Sequence, residues 1–319
     1  NFAVLEEIAA FSSHTSGVIG FVDRKNDSHN QDNNKRTIAN AAAIVQNGDV
    51  RGIYHKSFLP NYSVFDEARY FSKGTEPNTL FWYDDIAIGI NICEDIWIED
   101  GPAEEQVKQG ASLIININAS PYDIHKSETR KEIVMKKALK LNVPIIYLNM
   151  VGGQDELVFD GGSFVVNELG EIIYQASSFK EEVFHLDIDL KTNKQNDKSP
   201  LTIRPKTIEL KDVESKASLS KNESIYSALK LGLKDYVRKN KFTKVLIGIS
   251  GGIDSALTAA ICVDALGAEN VIGVAMPSKY NSKDSLDDAI KLSDNLGITL
   301  KTIEIEKLVD DFRETLTNS

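Results

Sequence analysis

The sequence predicts an α/β protein in two parts, a layered sandwich followed by a doubly wound parallel sheet. Within residues 1–190, apolar strand-like runs alternate with helical segments and hairpins, which is typical of an α/β layered sandwich. Residues 191–222 are rich in Lys, Asn, Asp and Ser with little periodicity, which predicts an interdomain linker. Residues 223–319 show the order strand–helix–strand–helix–strand, which begins a doubly wound sheet.

The first part reads as a series of short elements. A strong hairpin signal is the Asn47-Gly48 pair between two apolar runs. Residues 23–36 are polar and predict a loop. We predict helices at 2–12, 102–109 and 127–141, and strands at 17–22, 39–46, 51–55, 84–93, 111–118, 143–149, 162–166 and 171–174.

The second part begins with an amphipathic helix at 223–239, which has Ile225, Leu229 and Leu233 near one face. The remaining predicted elements are strands at 245–249, 271–275 and 299–305, with helices at 256–263 and 282–296 between them.

Composition excludes several classes of protein. The chain has 319 residues, 42% of them hydrophobic and 26% charged, and a net charge of −11. No cluster of Lys or Arg stands out, so we expect no nucleic-acid partner and no anionic-membrane partner. No apolar run approaches the ~20 residues of a membrane span. The two cysteines, Cys93 and Cys262, do not suggest a disulfide framework, so we expect a cytoplasmic protein.

The stretch KVLIGISGGIDS at 244–255 predicts an anion site. A buried strand runs into a glycine turn and then into a helix, whose first N–H groups have no partner within the helix. Gly251 and Gly252 allow phosphate oxygens to approach the backbone, and Ser250 and Ser255 can donate hydroxyls. No Lys follows the glycines, so this is not a P-loop of the GxxxxGK[ST] type. An ordinary strand-to-helix connection is the alternative.

Cys93 ends an apolar strand, where a turn can expose a side chain. A lone cysteine in such a strand is more often a small buried hydrophobe than a nucleophile. Lys56 taken alone reads equally well as a surface lysine. A nearby ammonium would lower the pKa of a thiol, and a thiolate is the nucleophile that amide hydrolysis through a thioester needs.

Family resemblances sharpen both sites. SGGIDS at 250–255 resembles the pyrophosphate loop of the N-type ATP pyrophosphatases. NICEDIW at 91–97 resembles the nucleophile strand of the nitrilase superfamily, in its glutamine-hydrolysing branch. HKSFLPNY at 55–62, NASP at 118–121 and VGGQDE at 151–156 match further parts of that family. The resemblance implies a nitrilase-like α-β-β-α sandwich for the first part.

The nitrilase resemblance implies a Glu-Lys-Cys triad with Cys93 as nucleophile and Lys56 as its lysine. Glu67 and Glu94 are expected to support the site. The general-base glutamate is not found, and we expect it upstream of Asn1. The resemblance also implies contacts from three residues to the glutamine substrate, namely Tyr62, Ser120 and Lys126.

IYSALKLGLKDYV at 225–237 and MPSKYNS at 276–282 resemble the glutamine-dependent NAD synthetase family. That family adenylates deamido-NAD with ATP and Mg²⁺, and ammonia from the amidase then forms the amide. Asp254 is expected to serve the Mg²⁺, although a helix-start carboxylate is the alternative. The predicted ATP-binding residues are Gly248, Ile249, Ser250, Gly251, Gly252, Ile253, Asp254 and Ser255.

We expect the chain to be cut at both ends, with the deamido-NAD site and a second Mg²⁺ carboxylate beyond Ser319. The 319 residues alone are then expected to be inactive, and the full-length protein a homo-oligomer. Two other functions stay open. One is another amidotransferase-type pyrophosphatase synthetase with a different acceptor, and the other is a non-catalytic nucleotide-binding module.

Overall fold

The computed structural model describes residues 2–24, 38–77, 79–190, 216–278 and 283–317. Contact density divides the chain into two compact units. The first contains residues up to Met150 and from Asp160 to Ser218, and the second contains Val151–Phe159 and the residues from Leu219 onward.

The first unit begins with a three-stranded antiparallel sheet in the order β1-β2-β3. Its strands are β1 (Ser16–Arg24), β2 (Ile38–Gln46) and β3 (Asp49–His55). Asn47 and Gly48 connect β2 to β3 with φ values of +52° and +83°, which are the conformations a tight two-residue hairpin needs. The predicted hairpin is therefore confirmed.

A six-stranded mixed sheet follows, in the order β11-β10-β7-β6-β5-β4. Its three central strands β5, β6 and β7 run parallel, and the neighbours on either side run antiparallel. The strands are β4 (Leu80–Tyr83), β5 (Ile86–Ile92), β6 (Leu113–Asn118), β7 (Ile145–Asn149), β10 (Phe164–Val166) and β11 (Ile172–Gln175).

Four helices accompany these sheets, and three of them pack in layers. Leu5 and Ala9 of α1 pack on the three-stranded sheet. Apolar side chains of both sheets, including Ala42, Tyr54 and Ile90, form a core between them. On the far side of the six-stranded sheet, a third core involves α3 and α4. The helices are α1 (Phe2–Ala10), the short α2 (Glu67–Tyr70), α3 (Pro102–Lys108) and α4 (Lys126–Leu141). This layering confirms the predicted α-β-β-α sandwich.

The second unit contains a three-stranded parallel sheet in the order β12-β13-β14. Side chains of three helices and the sheet, among them Leu233, Cys262 and Ala289, form one core. The elements are α5 (Lys221–Lys239), β12 (Val245–Gly248), α6 (Ile253–Leu266), β13 (Val271–Ala275), α7 (Lys283–Leu296), β14 (Thr299–Thr302) and α8 (Glu306–Thr317). The predicted parallel α/β architecture is confirmed.

A two-stranded hairpin, β8 (Val151–Gln154) and β9 (Leu157–Asp160), packs mainly on α5 of the second unit. The Gly153 amide donates to Asp235 Oδ2 at 2.8 Å, and Lys239 Nζ donates to the Gly153 carbonyl at 2.5 Å. A Cβ on Gly153 would lie 3.2 Å from the Cα of Gly232, so glycine permits this close approach.

Sequence reasoning missed β4, β8, β9 and α2. The predicted loop at 23–36 begins later than expected, since β1 continues to Arg24, and its remainder lies outside the described residues. Of the predicted linker 191–222 only residues 216–222 are described, and α5 already begins at Lys221. Among the helices described, none combines the length and apolar character needed to cross a membrane.

Candidate active site

Cys93 lies where β5 ends and a short 3-10 helix, Cys93–Ile96, begins. Its φ of +44° places a non-glycine residue in the left-handed region, which costs of order 1–3 kcal/mol and occurs mostly at functional sites. β5 and β6 are parallel, and the turn lies at the carboxyl end of this pair, where α/β proteins bind ligands.

A cavity of about 720 Å³ opens beside Cys93. It brings together three residues predicted for the site, namely Cys93, Lys56 and Glu67. Much of the remaining wall is apolar. It includes Val18, Phe65, Phe71, Ile92, Ile117, Leu148 and Met150, with Asn40, Asn118 and Asn149 as polar members.

Lys56 is held inside this cavity by Glu67. Its side chain is only 1% exposed, and its Nζ donates to both carboxylate oxygens of Glu67 at 2.8 Å. A buried ammonium needs such a partner, because an unpaired charge in a low-dielectric interior is costly. Glu67 therefore fixes the position of the Lys56 ammonium, and its supporting role in catalysis stays a prediction.

The Cys93 thiol is nearly buried, and burial raises its pKa to about 11. The Lys56 and Lys126 ammonium groups oppose this rise, while the Glu67 and Glu94 carboxylates add to it. Desolvation outweighs the two cations, so the thiol is protonated near neutral pH.

Two further predicted residues, Tyr62 and Lys126, lie against Phe65, which lines the cavity, and a third, Glu94, is bonded to Tyr62. Tyr62 stacks edge-on against the Phe65 ring at 5.7 Å and donates to both oxygens of Glu94 at 3.0 and 2.9 Å. Burial and this carboxylate raise the pKa of Tyr62 to about 12. Lys126 Nζ lies 5.6 Å from the Phe65 ring and 5.5 Å from the Trp97 ring, which are cation–π distances.

Ser120 lies behind the cavity wall. It is 1% exposed, and its hydroxyl accepts a hydrogen bond from Arg130 Nε at 3.2 Å. Its neighbours Asn118 and Ala119 line the cavity. A role for Ser120 in glutamine binding stays a prediction.

A buried polar cluster behind Ser120 was missed by sequence reasoning. Arg130 on α4 donates to both oxygens of Asp160 at 2.7 and 2.9 Å, and to the carbonyls of Ser120 and Pro121 at 2.8 Å each. Asn149 joins it by accepting from the Ser120 amide at 3.0 Å. No local pattern signals a pair separated by 30 residues.

Asp95 was also missed, although a signal existed. Its carboxylate is buried and accepts the backbone N–H of Ile92 at 3.1 Å, which caps the 3-10 helix that contains Cys93. An acidic residue three positions after a helix cap is the spacing of a capping box.

Two buried polar atoms lack a hydrogen-bond partner within the described part of the chain. They are Asn118 Oδ1, on the strand that ends at the cavity, and the Tyr147 hydroxyl. Buried acceptors without a partner are rare in folded proteins.

The predicted phosphate loop, residues 248–255, joins β12 to α6 in the second unit. Gly251 has a φ of +83°, and a Cβ there would overlap the backbone carbonyl oxygen of Ser285, so only glycine fits. Ser255 Oγ accepts from the Ser250 amide at 3.2 Å and donates to the Gly252 carbonyl at 3.0 Å. The two hydroxyls, 3.2 Å apart, lie at the N-terminus of α6.

A second cavity of about 180 Å³ borders this loop. Gly248, Ile249 and Ser250 form one wall, and Ala275, Met276, Pro277, Ser285 and Leu286 form the rest. Three of the eight predicted ATP-binding residues thus line this cavity, and their role in ATP binding stays a prediction.

Asp254 lies exposed in the first turn of α6. Within the described ranges no group of three or more His, Cys, Asp or Glu side chains converges as a metal site. Mg²⁺ usually keeps several waters and binds through one or two carboxylates plus substrate phosphates. A single carboxylate beside a phosphate loop fits that mode of binding.

Comparison with known proteins matches two families to successive parts of the chain. Residues 9–196 match the family model for carbon-nitrogen hydrolases, and residues 225–319 match the model for NAD synthases. The chain is 44% identical over 285 residues to the glutamine-dependent NAD(+) synthetase of Aquifex aeolicus. It is 41% identical over 329 residues to that of Thermotoga maritima.

A solved structure agrees with these sequence matches. The glutamine-dependent NAD+ synthetase of Acinetobacter baumannii, in complex with ADP, superposes with a TM-score of 0.83 at 38% identity over 99% of this chain. The alignment covers 56% of that chain, 50% of the Aquifex relative and 55% of the Thermotoga relative. The chain therefore spans about half the length of the curated relatives it matches.

Proposed function

The chain belongs to the carbon-nitrogen hydrolase family, and we propose that it carries the glutamine-hydrolysing site and the ATP-phosphate loop of a glutamine-dependent NAD(+) synthetase. The observation that supports this most is the presence of both sites in one chain. A buried thiol shares a cavity with an ion-paired lysine, and a glycine loop opens a helix in the second unit. The relatives at 38–44% identity carry that activity in their names.

In the amidase half, the Cys93 sulfur attacks the carboxamide carbon of glutamine. The C–S bond forms, the C–N bond breaks with protonation of the nitrogen, and ammonia leaves. Water then hydrolyses the thioester to glutamate and restores the thiol. Lys56 and a backbone N–H just after Cys93 stabilise the oxyanion that develops in both steps.

The raised pKa of Cys93 implies that the amidase reaction needs a general base. With a pKa of about 11, only on the order of one thiol in ten thousand is ionised at pH 7. A general base must therefore take the proton as the sulfur attacks. Glu67 is engaged by Lys56, and the predicted base upstream of Asn1 stays a prediction.

Substrate recognition follows from charge. Free glutamine has an α-ammonium group and an α-carboxylate. Lys126 is suited to the carboxylate and Tyr62 to a hydrogen bond, with Glu94 fixing the tyrosine hydroxyl. Ser120 is buried and bonded to Arg130, so its predicted contact with glutamine would require the loop to shift.

In the ligase half, ATP binds with its phosphates on the loop from Gly248 to Ser255. The carboxylate of deamido-NAD attacks the α-phosphorus, and pyrophosphate leaves. Ammonia then attacks the carbonyl carbon of this adenylate, and AMP leaves as the amide forms. Asp254 would hold Mg²⁺, which neutralises phosphate charge. Overall the enzyme is a carbon–nitrogen ligase with glutamine as amide donor.

The thiol must stay reduced to act, and we place the enzyme in the cytoplasm, where thiols are kept reduced. Its partners in this proposal are small molecules, namely glutamine, ATP and deamido-NAD. The homo-oligomer expected from the resemblance stays a prediction.

The test uses the protein translated from the complete coding sequence, supplied with glutamine, Mg·ATP and deamido-NAD. We expect NAD, AMP, pyrophosphate and glutamate in equal amounts. A synthetase with another acceptor would form AMP and glutamate only with a different carboxylic acid. A nucleotide-binding module would release no glutamate at all, and either result would contradict the proposal.

A further inference from the structure

The Asp95 carboxylate is enclosed by hydrogen-bond donors. It is fully buried, and Oδ1 accepts the backbone amides of Ser57 and Phe58 at 3.1 and 2.8 Å. Oδ2 accepts the amide of Ile92 at 3.1 Å and the hydroxyl of Tyr54 at 2.9 Å. All four neighbours donate, so the carboxylate makes these four hydrogen bonds without a proton of its own.

These donors come from the two segments that carry the catalytic residues. Ser57 directly follows Lys56, just after the end of β3 in the three-stranded sheet. Ile92 directly precedes Cys93, at the end of β5 in the six-stranded sheet. The Asp95 carboxylate thus connects the two sheets. It binds the residue after Lys56 in one and the residue before Cys93 in the other.

The same carboxylate holds a strained turn. Cys93 has a φ of +44°, and the Ile92 amide that precedes it is fixed by Asp95 Oδ2. Without this bond the cost of the left-handed conformation would favour relaxation of the turn. Relaxation would move the sulfur relative to Lys56, whose ammonium opposes the rise in the thiol pKa.

We propose that Asp95 is a positioning residue for glutamine hydrolysis, which sets the placement of the Lys56 ammonium relative to the Cys93 sulfur. This inference rests on the proposed amidase activity. Asp95 itself touches neither substrate nor the reacting atoms, and it acts through the two segments it joins. A displacement of about 1 Å in such a pair can cost on the order of 100-fold in rate.

The variant Asp95→Asn tests this with little change of shape. An amide presents an NH₂ group to one pair of donors, so at least one of the two segments loses its acceptor. Glu104→Gln is the matched control. Glu104 is also buried, also caps a helix by accepting the Gly101 amide at 3.1 Å, and lies in the helical layer apart from the catalytic cavity.

Three quantities are measured in the protein from the complete coding sequence. They are kcat and KM for glutamate release, and the rate of Cys93 alkylation by iodoacetamide between pH 6 and 9. The alkylated Cys93 peptide is quantified by mass spectrometry. For Asp95→Asn we expect kcat to fall about 10- to 100-fold with KM within about 2-fold, and slower alkylation at each pH. Glu104→Gln is expected to keep wild-type kcat and alkylation.

A purely structural role would give a different pattern. Equal losses of kcat in both variants, or alkylation in Asp95→Asn as fast as in wild type, would overturn the proposal. If wild-type protein released no glutamate, the proposed function would fail, while the alkylation rates would still decide whether Asp95 positions the pair. If Asp95→Asn does not fold, Tyr54→Phe removes a single donor. It should lower kcat about 2- to 5-fold, and an unchanged kcat would overturn the proposal.

Discussion

The thiol of Cys93 lies in an environment that disfavours its ionised form. Burial raises the pKa of Cys93, and the Lys56 ammonium that opposes this rise is itself held by Glu67. The turn at Cys93 is strained and capped by a buried carboxylate. The Lys56–Glu67 ion pair, the left-handed turn at Cys93 and the Asp95 cap thus all contribute to the placement of the sulfur. Such an arrangement is typical of a preorganised nucleophile.

The first prediction concerns the thiol of Cys93. Cys93→Ala should abolish glutamine-supported NAD formation and leave ammonia-supported formation nearly intact, because only the thioester step needs sulfur. The matched control is Cys262→Ala, which changes the other buried cysteine, in the core beside α6. NAD formation is measured with each nitrogen source, and failure of ammonia to support the folded Cys93→Ala variant would contradict separate sites.

The second prediction concerns the pH dependence of stability. Burial raises the pKa of Asp95 to about 6, despite the amide donors, the Tyr54 hydroxyl and the Lys56 ammonium that favour its charge. The unfolded pKa is about 3.9, so the folded state binds the proton more tightly. The contribution of Asp95 to stability is therefore fully present below about pH 4 and is lost as pH rises through about 6.

Relative to Asp95→Asn, the free energy of unfolding of the wild type should fall by roughly 2 kcal/mol between pH 4 and pH 7. Urea unfolding followed by tryptophan fluorescence measures this in the first unit, because Trp82 and Trp97 both lie there. A difference between the two proteins that does not change with pH would contradict the assignment.

At the scale of elements, strand ends and loops are fixed by buried polar groups. Arg130 of α4 connects the loop after β6 to Asp160 at the end of β9. Asn149, at the end of β7, belongs to the same cluster and lines the catalytic cavity. Arg130 of α4 therefore holds the loop after β6, which forms part of the wall of the cavity beside Cys93.

Arg130→Met should lower the free energy of unfolding of the first unit by about 3–5 kcal/mol, because it leaves the buried Asp160 carboxylate without its cation. Lys136→Met removes an exposed pair with Glu132 on the same helix and should be indistinguishable from wild type. Tryptophan fluorescence during urea unfolding compares the two. Similar losses in both variants would show that the Arg130 cluster does not stabilise the unit.

A second prediction at this scale concerns the phosphate loop. Gly251 and Gly48 share a φ of +83°, but a Cβ at Gly251 would overlap the Ser285 carbonyl, whereas Gly48 has open space around it. Gly251→Ala should raise the KM for ATP at least about 10-fold in ammonia-supported synthesis, since the loop must move. Gly48→Ala should cost only about 1 kcal/mol of stability and leave this KM unchanged. Equal KM values for ATP in the two variants would show that the close approach of Gly251 to Ser285 does not matter for ATP binding.

Sequence patterns predicted elements where local chemistry was strong. The Asn47-Gly48 turn, the apolar strand before Cys93 and the strand–glycine–helix at 245–266 all appear in the structure. The strand β8 was missed because its Val-Gly-Gly-Gln run has little β propensity and is held by Asp235 and Lys239 of α5. The pairing of Arg130 with Asp160 depends on the tertiary fold, so no local pattern reveals it.

The chain combines a carbon-nitrogen hydrolase unit and a parallel α/β unit with a glycine-rich loop, each with its own core and cavity. The strand–glycine–helix pattern at 244–255 predicts an anion site, whereas the predictions for Cys93 and Lys56 rest on family resemblance. Cavity shape, the Lys56–Glu67 pair and the capping role of Asp95 came from the structure, because each requires the distance between remote segments.

The proposed transfer of nitrogen from glutamine at Cys93 to the amide of NAD, through an adenylate, is the step on which the proposed function depends. It is tested by supplying the protein from the complete coding sequence with [amide-¹⁵N]glutamine, Mg·ATP, deamido-NAD and a tenfold excess of unlabelled ammonium. The mass of the NAD formed is then measured, with AMP counted alongside. We predict ¹⁵N in the NAD amide well above the one part in eleven that free mixing would give, and one AMP per NAD. The Cys93→Ala variant should give unlabelled NAD. Unlabelled NAD from the wild type would contradict the transfer of nitrogen from glutamine, and ADP in place of AMP would contradict the adenylate.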